Sequence, residues 1–100
     1  MSATIGAARV TIYLDESFSL KDKRREVRSI SKQVQTKFNA AIAEIEDLDD
    51  MRVATLGIVV VSNDARHADA MLATIIAFVE ARLDLGVLGE IGTELFPFSG

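Results

Sequence analysis

The run Val53–Asp64, "VATLGIVVVSND", decides the fold. From Val53 to Val61 every position is apolar or small, and the branched residues favour extended chain. A strand with one wet face alternates between polar and apolar residues. This run does not alternate, so it is covered on both faces and lies inside a sheet. Ser62, Asn63 and Asp64 then supply capping side chains, which predicts a helix from Ala65 to about Leu83. Its apolar face holds Ala68, Met71, Leu72, Ile75 and Val79.

The flanking segments complete a pattern. On the N-terminal side, "AARVTIYLD" (Ala7–Asp15) alternates, with Val10, Ile12 and Leu14 on one face and Arg9, Thr11 and Tyr13 on the other. Ser19 offers a helix cap, and Asp22 three residues later makes a weak capping box. The helix that follows places Leu20, Val27, Ile30, Val34 and Phe38 on one face, and it is free of Gly and Pro to about Asn39. A short strand, "AAIAEIE" (Ala40–Glu46), leads into an acidic turn. On the C-terminal side, "DLGVLGEIGTELFPF" (Asp84–Phe98) is a Gly-punctuated last strand that Pro97 closes.

The order β-α-β, β-α-β describes an α+β domain of ferredoxin-like βαββαβ topology, a four-stranded antiparallel sheet with two helices on one face. The first and third strands are then central, in keeping with the uniformly apolar third. One hundred residues support a single core, so residues 1–100 are read as a single domain.

Composition narrows the chemistry. The chain contains no cysteine, which excludes disulfides, thiolate nucleophiles and Cys-based zinc sites. A basic segment followed by an apolar one is absent from "MSATIGAARV", and the charge-free run Ala70–Val79 has about half the length of a membrane span. A cytoplasmic location is the expectation. His67 is the sole histidine, so it reads as a capping or packing residue, and neither a metal nor another cofactor is expected. Asp47, Asp49 and Asp50 lack the alternating ligands and central Gly of a calcium loop and read as a solvated turn. Gly86, Gly89 and Gly92 precede no helix, and Ser17, Ser19 and Ser62 have no nucleophile context. The chain is not expected to be an enzyme.

The net charge of −4 hides an asymmetry. Residues 21–37 carry seven basic and two acidic side chains, a balance of +5, which leaves −9 for the remainder. On a helical wheel Lys21, Arg25, Arg28 and Lys32 form one stripe, at spacings of four, three and four and about 16 Å long at ~1.5 Å per residue. Such a row suits successive phosphates. Lys23 and Arg24 border the apolar face, where their stems cover core residues while their heads reach water; Asp22 and Glu26 fall on the far side. Two bland alternatives stand beside a nucleic-acid site: a solvated face, or pairing of the stripe with carboxylates of Glu44–Asp50.

The uncovered face of the sheet raises a second question, because neither face of the third strand suits water. The C-terminal "ELFPFSG" could fold back over it with Leu95, Phe96 and Phe98, or a second copy could pack on it. A homo-oligomer, a dimer through the open sheet face, is the favoured expectation. Base stacking of RNA on the central strands is disfavoured, since the third has no aromatic residue and the first only Tyr13.

Together "SLKDKRREVRSI", Glu44, "ATLGIVVVSND" and "HADAML" resemble the YlxP-like family of small bacterial proteins, from about Arg9 to Glu94. The resemblance implies a ferredoxin-like, cytoplasmic protein of uncharacterised function. The family's genes often neighbour those of translation initiation and ribosome maturation, which implies RNA or ribosome association. Two function classes follow. One is a non-catalytic protein that docks RNA or ribosomal components through the first helix; the other is a homo-oligomeric module that binds a small molecule or regulates.

Overall fold

A computed structural model describes residues 3–16 and 18–98. Ser17 and the last two residues of the C-terminal segment lie outside the described residues. The order is β1 (Ala3–Tyr13), α1 (Leu20–Lys37), β2 (Ala41–Glu46), β3 (Val53–Ser62), α2 (Ala65–Arg82) and β4 (Val87–Phe98). One antiparallel sheet runs β2-β3-β1-β4, so β1 and β3 are central as expected, but β3 is not covered on both faces: both helices pack on one side, and Val59 and Val61 on the other are exposed. The fold is ferredoxin-like. Its long axis measures 50 Å against 22 and 18 Å, because β1, β3 and β4 are each ten to twelve residues long.

The core forms where the even-numbered side chains of β1 and β3 meet the helices. Val10, Ile12, Leu56, Ile58 and Val60 pack with Ile30 and Val34 of α1 and with Ala68, Leu72, Ile75 and Val79 of α2. Each of the larger side chains contributes about 1.5–3 kcal/mol by leaving water. β4 extends through Pro97, which faces Thr4, to Phe98 opposite Ala3. Pro97 is tolerated there because β4 is an edge strand and its missing N–H breaks no ladder. The segment Leu95–Phe98 is therefore sheet, and it does not fold back as an intramolecular cover.

Both helices begin as the capping residues dictate. Ser19 accepts from the backbone N–H of Asp22, whose carboxylate accepts in return from Ser19 N–H, a complete capping box. Asp64 accepts from the N–H groups of Arg66 and His67 at the start of α2. Ser19→Ala is expected to cost about 0.5–2 kcal/mol, read by denaturant unfolding. Asp22 has its pKa lowered, first by the Ser19 backbone N–H and then by the Ser19 hydroxyl. A depressed folded-state value means that this stabilisation is present above the unfolded Asp pKa of about 3.9 and is lost as pH falls through the folded value. The gap in melting temperature between wild type and Asp22→Asn should accordingly shrink in acid.

Two side chains of α1 sit elsewhere than the wheel put them. Lys23 does not send its head to water; it is fully buried, at 0% exposure. Its Nζ donates to the carbonyls of Asp47 (2.7 Å), Leu48 (3.2 Å) and Val53 (3.1 Å). Those carbonyls take all three ammonium hydrogens. Glu44 Oε2 lies 2.8 Å from Nζ and neutralises the charge without a hydrogen bond of its own. The lysine thus pins the β2–β3 turn, where Asp47 adopts φ 62° and its carboxylate accepts from the Thr55 hydroxyl at 2.9 Å. Asp residues tolerate this left-handed conformation better than most.

Glu26 is likewise buried rather than on a far wet side. Its carboxylate accepts from three consecutive backbone N–H groups, those of Asp84, Leu85 and Gly86, in the turn between α2 and β4. Both residues satisfy main-chain groups of loops that would otherwise be orphaned against the core. Each works as a tether from α1 to a distant connection.

Candidate nucleic-acid interface

The four cations of the predicted stripe, Lys21, Arg25, Arg28 and Lys32, are all exposed on α1. Among the described residues no ion pair joins any of them to a carboxylate. Four carboxylates of the acidic segment, those of Glu44, Glu46, Asp47 and Asp50, are engaged elsewhere. Glu44 neutralises Lys23, Glu46 pairs with Arg9 at 2.5 Å across the sheet, and Asp47 holds Thr55. Arg25 and Lys21 account for a smaller part of the lowered pKa of Asp22.

The shape of the surface divides the stripe. A groove of about 390 Å³ runs between the outer surfaces of α1 and α2, lined by Ser29, Lys32, Gln33, Thr36, Lys37, Phe78 and Arg82. It continues into a second hollow of about 280 Å³ that adds Arg25, Glu26, Asp84 and Leu85. Arg25 and Lys32 therefore face the groove, whereas Lys21 and Arg28 line neither hollow. Two cations that the wheel alone did not single out join them, Lys37 and Arg82.

Phe78 organises this end of the groove. Its ring meets Phe38 edge-on, with centroids 5.2 Å apart and planes at 82°. The Lys37 ammonium stands 5.2 Å from the Phe78 centroid and the Arg82 guanidinium 4.8 Å. The negative face of an aromatic ring attracts such cations, which restrains two flexible side chains in one place. Lys37 and Arg82 also belong to the last turns of their helices, where the helix dipole favours positive charge. Phe38 and Phe78 thus serve as both core and scaffold. Of the two carboxylates at the far end, Glu26 is committed to backbone N–H groups and Asp84 is exposed.

What this surface offers is charge, a few amide and hydroxyl groups, and an apolar floor. It suits recognition of an anionic partner. His67 is exposed beside a shallow hollow formed with Phe38, Ala70, Met71 and Thr74. Among the described residues no group of three His, Asp or Glu side chains converges on a metal-sized space. No described helix is long and apolar enough to cross a membrane.

A family model described as "Protein of unknown function (DUF503)" matches residues 5–90. The chain belongs to this family. It is also 32% identical to the "Uncharacterized protein YlxP" of Bacillus subtilis (strain 168) over 77 residues, 77% of this chain and 84% of that relative. The residues that suggested a YlxP-like resemblance thus identify the family correctly. The family match takes in the groove residues Arg25, Lys32, Lys37, Phe78 and Arg82 and both tethers, Lys23 and Glu26.

Proposed function

We propose that this DUF503 protein is a non-catalytic binding protein that docks RNA, in the setting of the ribosome, through the groove between α1 and α2. One observation carries the reading. Arg25, Lys32, Lys37 and Arg82 converge from two helices on a groove with an aromatic floor, and none is neutralised by an ion pair. In a protein of net charge −4, such a cluster gives orientation as well as affinity, because the remaining surface repels a polyanion. Ser29, Gln33 and Thr36 add groups that bond phosphate or sugar oxygens.

Equilibrium binding to a short fluorescent single-stranded RNA in low salt tests the assignment. Lys32→Ala with Arg82→Ala is expected to weaken binding by about tenfold or more, while Lys21→Ala with Arg28→Ala, outside the groove, has the smaller effect. Equal losses in the two pairs would return the site to a diffuse helical stripe. No binding by wild type would reject the RNA reading altogether.

A further inference from the structure

The sheet face turned away from the helices carries a second surface, distinct from the basic groove. It presents Ile5, Val59, Val61, Phe96 and Phe98, of which Val61 is 57% and Phe98 55% exposed. Arg9 is the sole Lys or Arg in the four strands, so the lysines that commonly guard exposed sheets are missing. Four of the polar side chains on this face are already partnered within the chain: Arg9 pairs with Glu46, and Tyr13 donates to Glu90 at 2.6 Å. Covering them costs less than covering free charges.

The size fits a dimer. Three strands of ten or more residues and one of six, about 4.8 Å apart and about 3.3 Å per residue, give a flat area of roughly 600 Å². Accessible area exceeds flat area, which brings the face to the roughly 800 Å² per partner of a stable protein interface.

We propose that a second copy of this chain covers this face, about a two-fold axis that crosses the strands at the row Val59–Ala7–Glu94. The register supplies the reason. Phe96 pairs with Ile5 and Gly92 with Arg9, so a bulky residue and a glycine lie equally far on either side of Glu94, which pairs with Ala7. The axis at that row sets Phe96 of each copy over Gly92 of the other. Space is present there: a hollow of about 430 Å³ opens between Ile45, Val59 and Glu94, and a Cβ placed on Gly92 meets nothing within 4 Å. A two-fold along the strands would instead stack Phe96 on Val61 and leave both hollows empty. The chosen axis brings the two Glu94 carboxylates near each other, with the Arg9–Glu46 pair of each copy one strand and one row away.

The full-length chain, followed by analytical ultracentrifugation at micromolar concentration, tests this. The expected species has twice the 10.9 kDa chain mass. Gly92→Val is the decisive variant. It adds bulk where a Cβ meets nothing within 4 Å, so it should melt close to wild type by circular dichroism and yet sediment as a monomer. Ala7→Cys, in a chain otherwise free of cysteine, should be captured as a covalent dimer by a short bis-maleimide. A wild-type monomer at these concentrations overturns the proposal and leaves the face to another partner. So does an oligomer whose mass is unchanged by Gly92→Val, or an Ala7→Cys that stays uncoupled in a dimer.

Discussion

Lys23→Met is expected to lower the unfolding free energy by about 3–5 kcal/mol, the range for breaking a buried ion pair on one side. The methionine fills the space, so the loss reports charge and hydrogen bonding rather than a cavity. Three carbonyls, those of Asp47, Leu48 and Val53, lose their donor, and the Glu44 carboxylate is left beside them uncompensated. In a domain of this length that energy corresponds to a melting temperature lower by more than about 10 °C. Glu44→Gln should cost much less, because the ammonium keeps its three carbonyls. The double variant Lys23→Met/Glu44→Leu should recover part of the loss, since it removes the stranded carboxylate. Thermal unfolding of the four proteins checks the order. Equal losses for Lys23→Met and Glu44→Gln would assign the stability to the ion pair alone and not to the pinned turn.

Glu26→Ala comes next, at about 2–4 kcal/mol. It withdraws a charged acceptor from three successive N–H groups, and hydrogen bonds to charged groups contribute about 1.5–3 kcal/mol each. The sum is not reached because a freed turn turns some of those groups to water. Glu26→Gln keeps the shape and one acceptor oxygen, and should cost roughly half as much. Hydrogen exchange at Asp84, Leu85 and Gly86 supplies the local readout. Faster exchange confined to these amides and their neighbours is the expected result. Unchanged protection at all three would contradict the tether.

These two residues also mark where sequence stopped informing structure. The topology was legible because its evidence is local: β3 is apolar on both faces, and Ser19 and Asp64 each precede a periodic run with cap chemistry. Lys23 and Glu26 were read as solvent-facing because charge usually is. Their partners are main-chain atoms 24 to 60 positions away, which no side-chain pattern announces. A trace was nevertheless present. Leu20, Lys23, Val27, Ile30 and Val34 follow spacings of three, four, three and four, so Lys23 occupies an apolar-stripe position. A lysine in that place calls for a buried acceptor.

The candidate site divides in the same way. The cations of α1 could be counted from sequence, and all four of the stripe are exposed. Their grouping was not legible, because the groove is completed by Phe78 and Arg82 of α2, more than forty residues away. The docking of α2 on the sheet decides which members of the stripe share a surface. The open sheet face follows from the topology, which puts both helices on one side, and its apolar character from β3, but the placement of Phe96 and Gly92 about one row depends on the register of β4. That register includes an irregularity between Val10 and Ile12 that only the fold displays.

The central claim is that cations gathered from two helices, not a ridge on one, grip a nucleic acid. Titrating wild type and Lys32→Ala/Arg82→Ala with the same single-stranded RNA across a series of salt concentrations tests it most directly. Each phosphate contact contributes a slope of about −0.7 to the dependence of log affinity on log salt. Four groove cations give wild type a slope near −3, and the double variant should fall to about half of that. Identical slopes in the two proteins, or an affinity indifferent to salt, would contradict it.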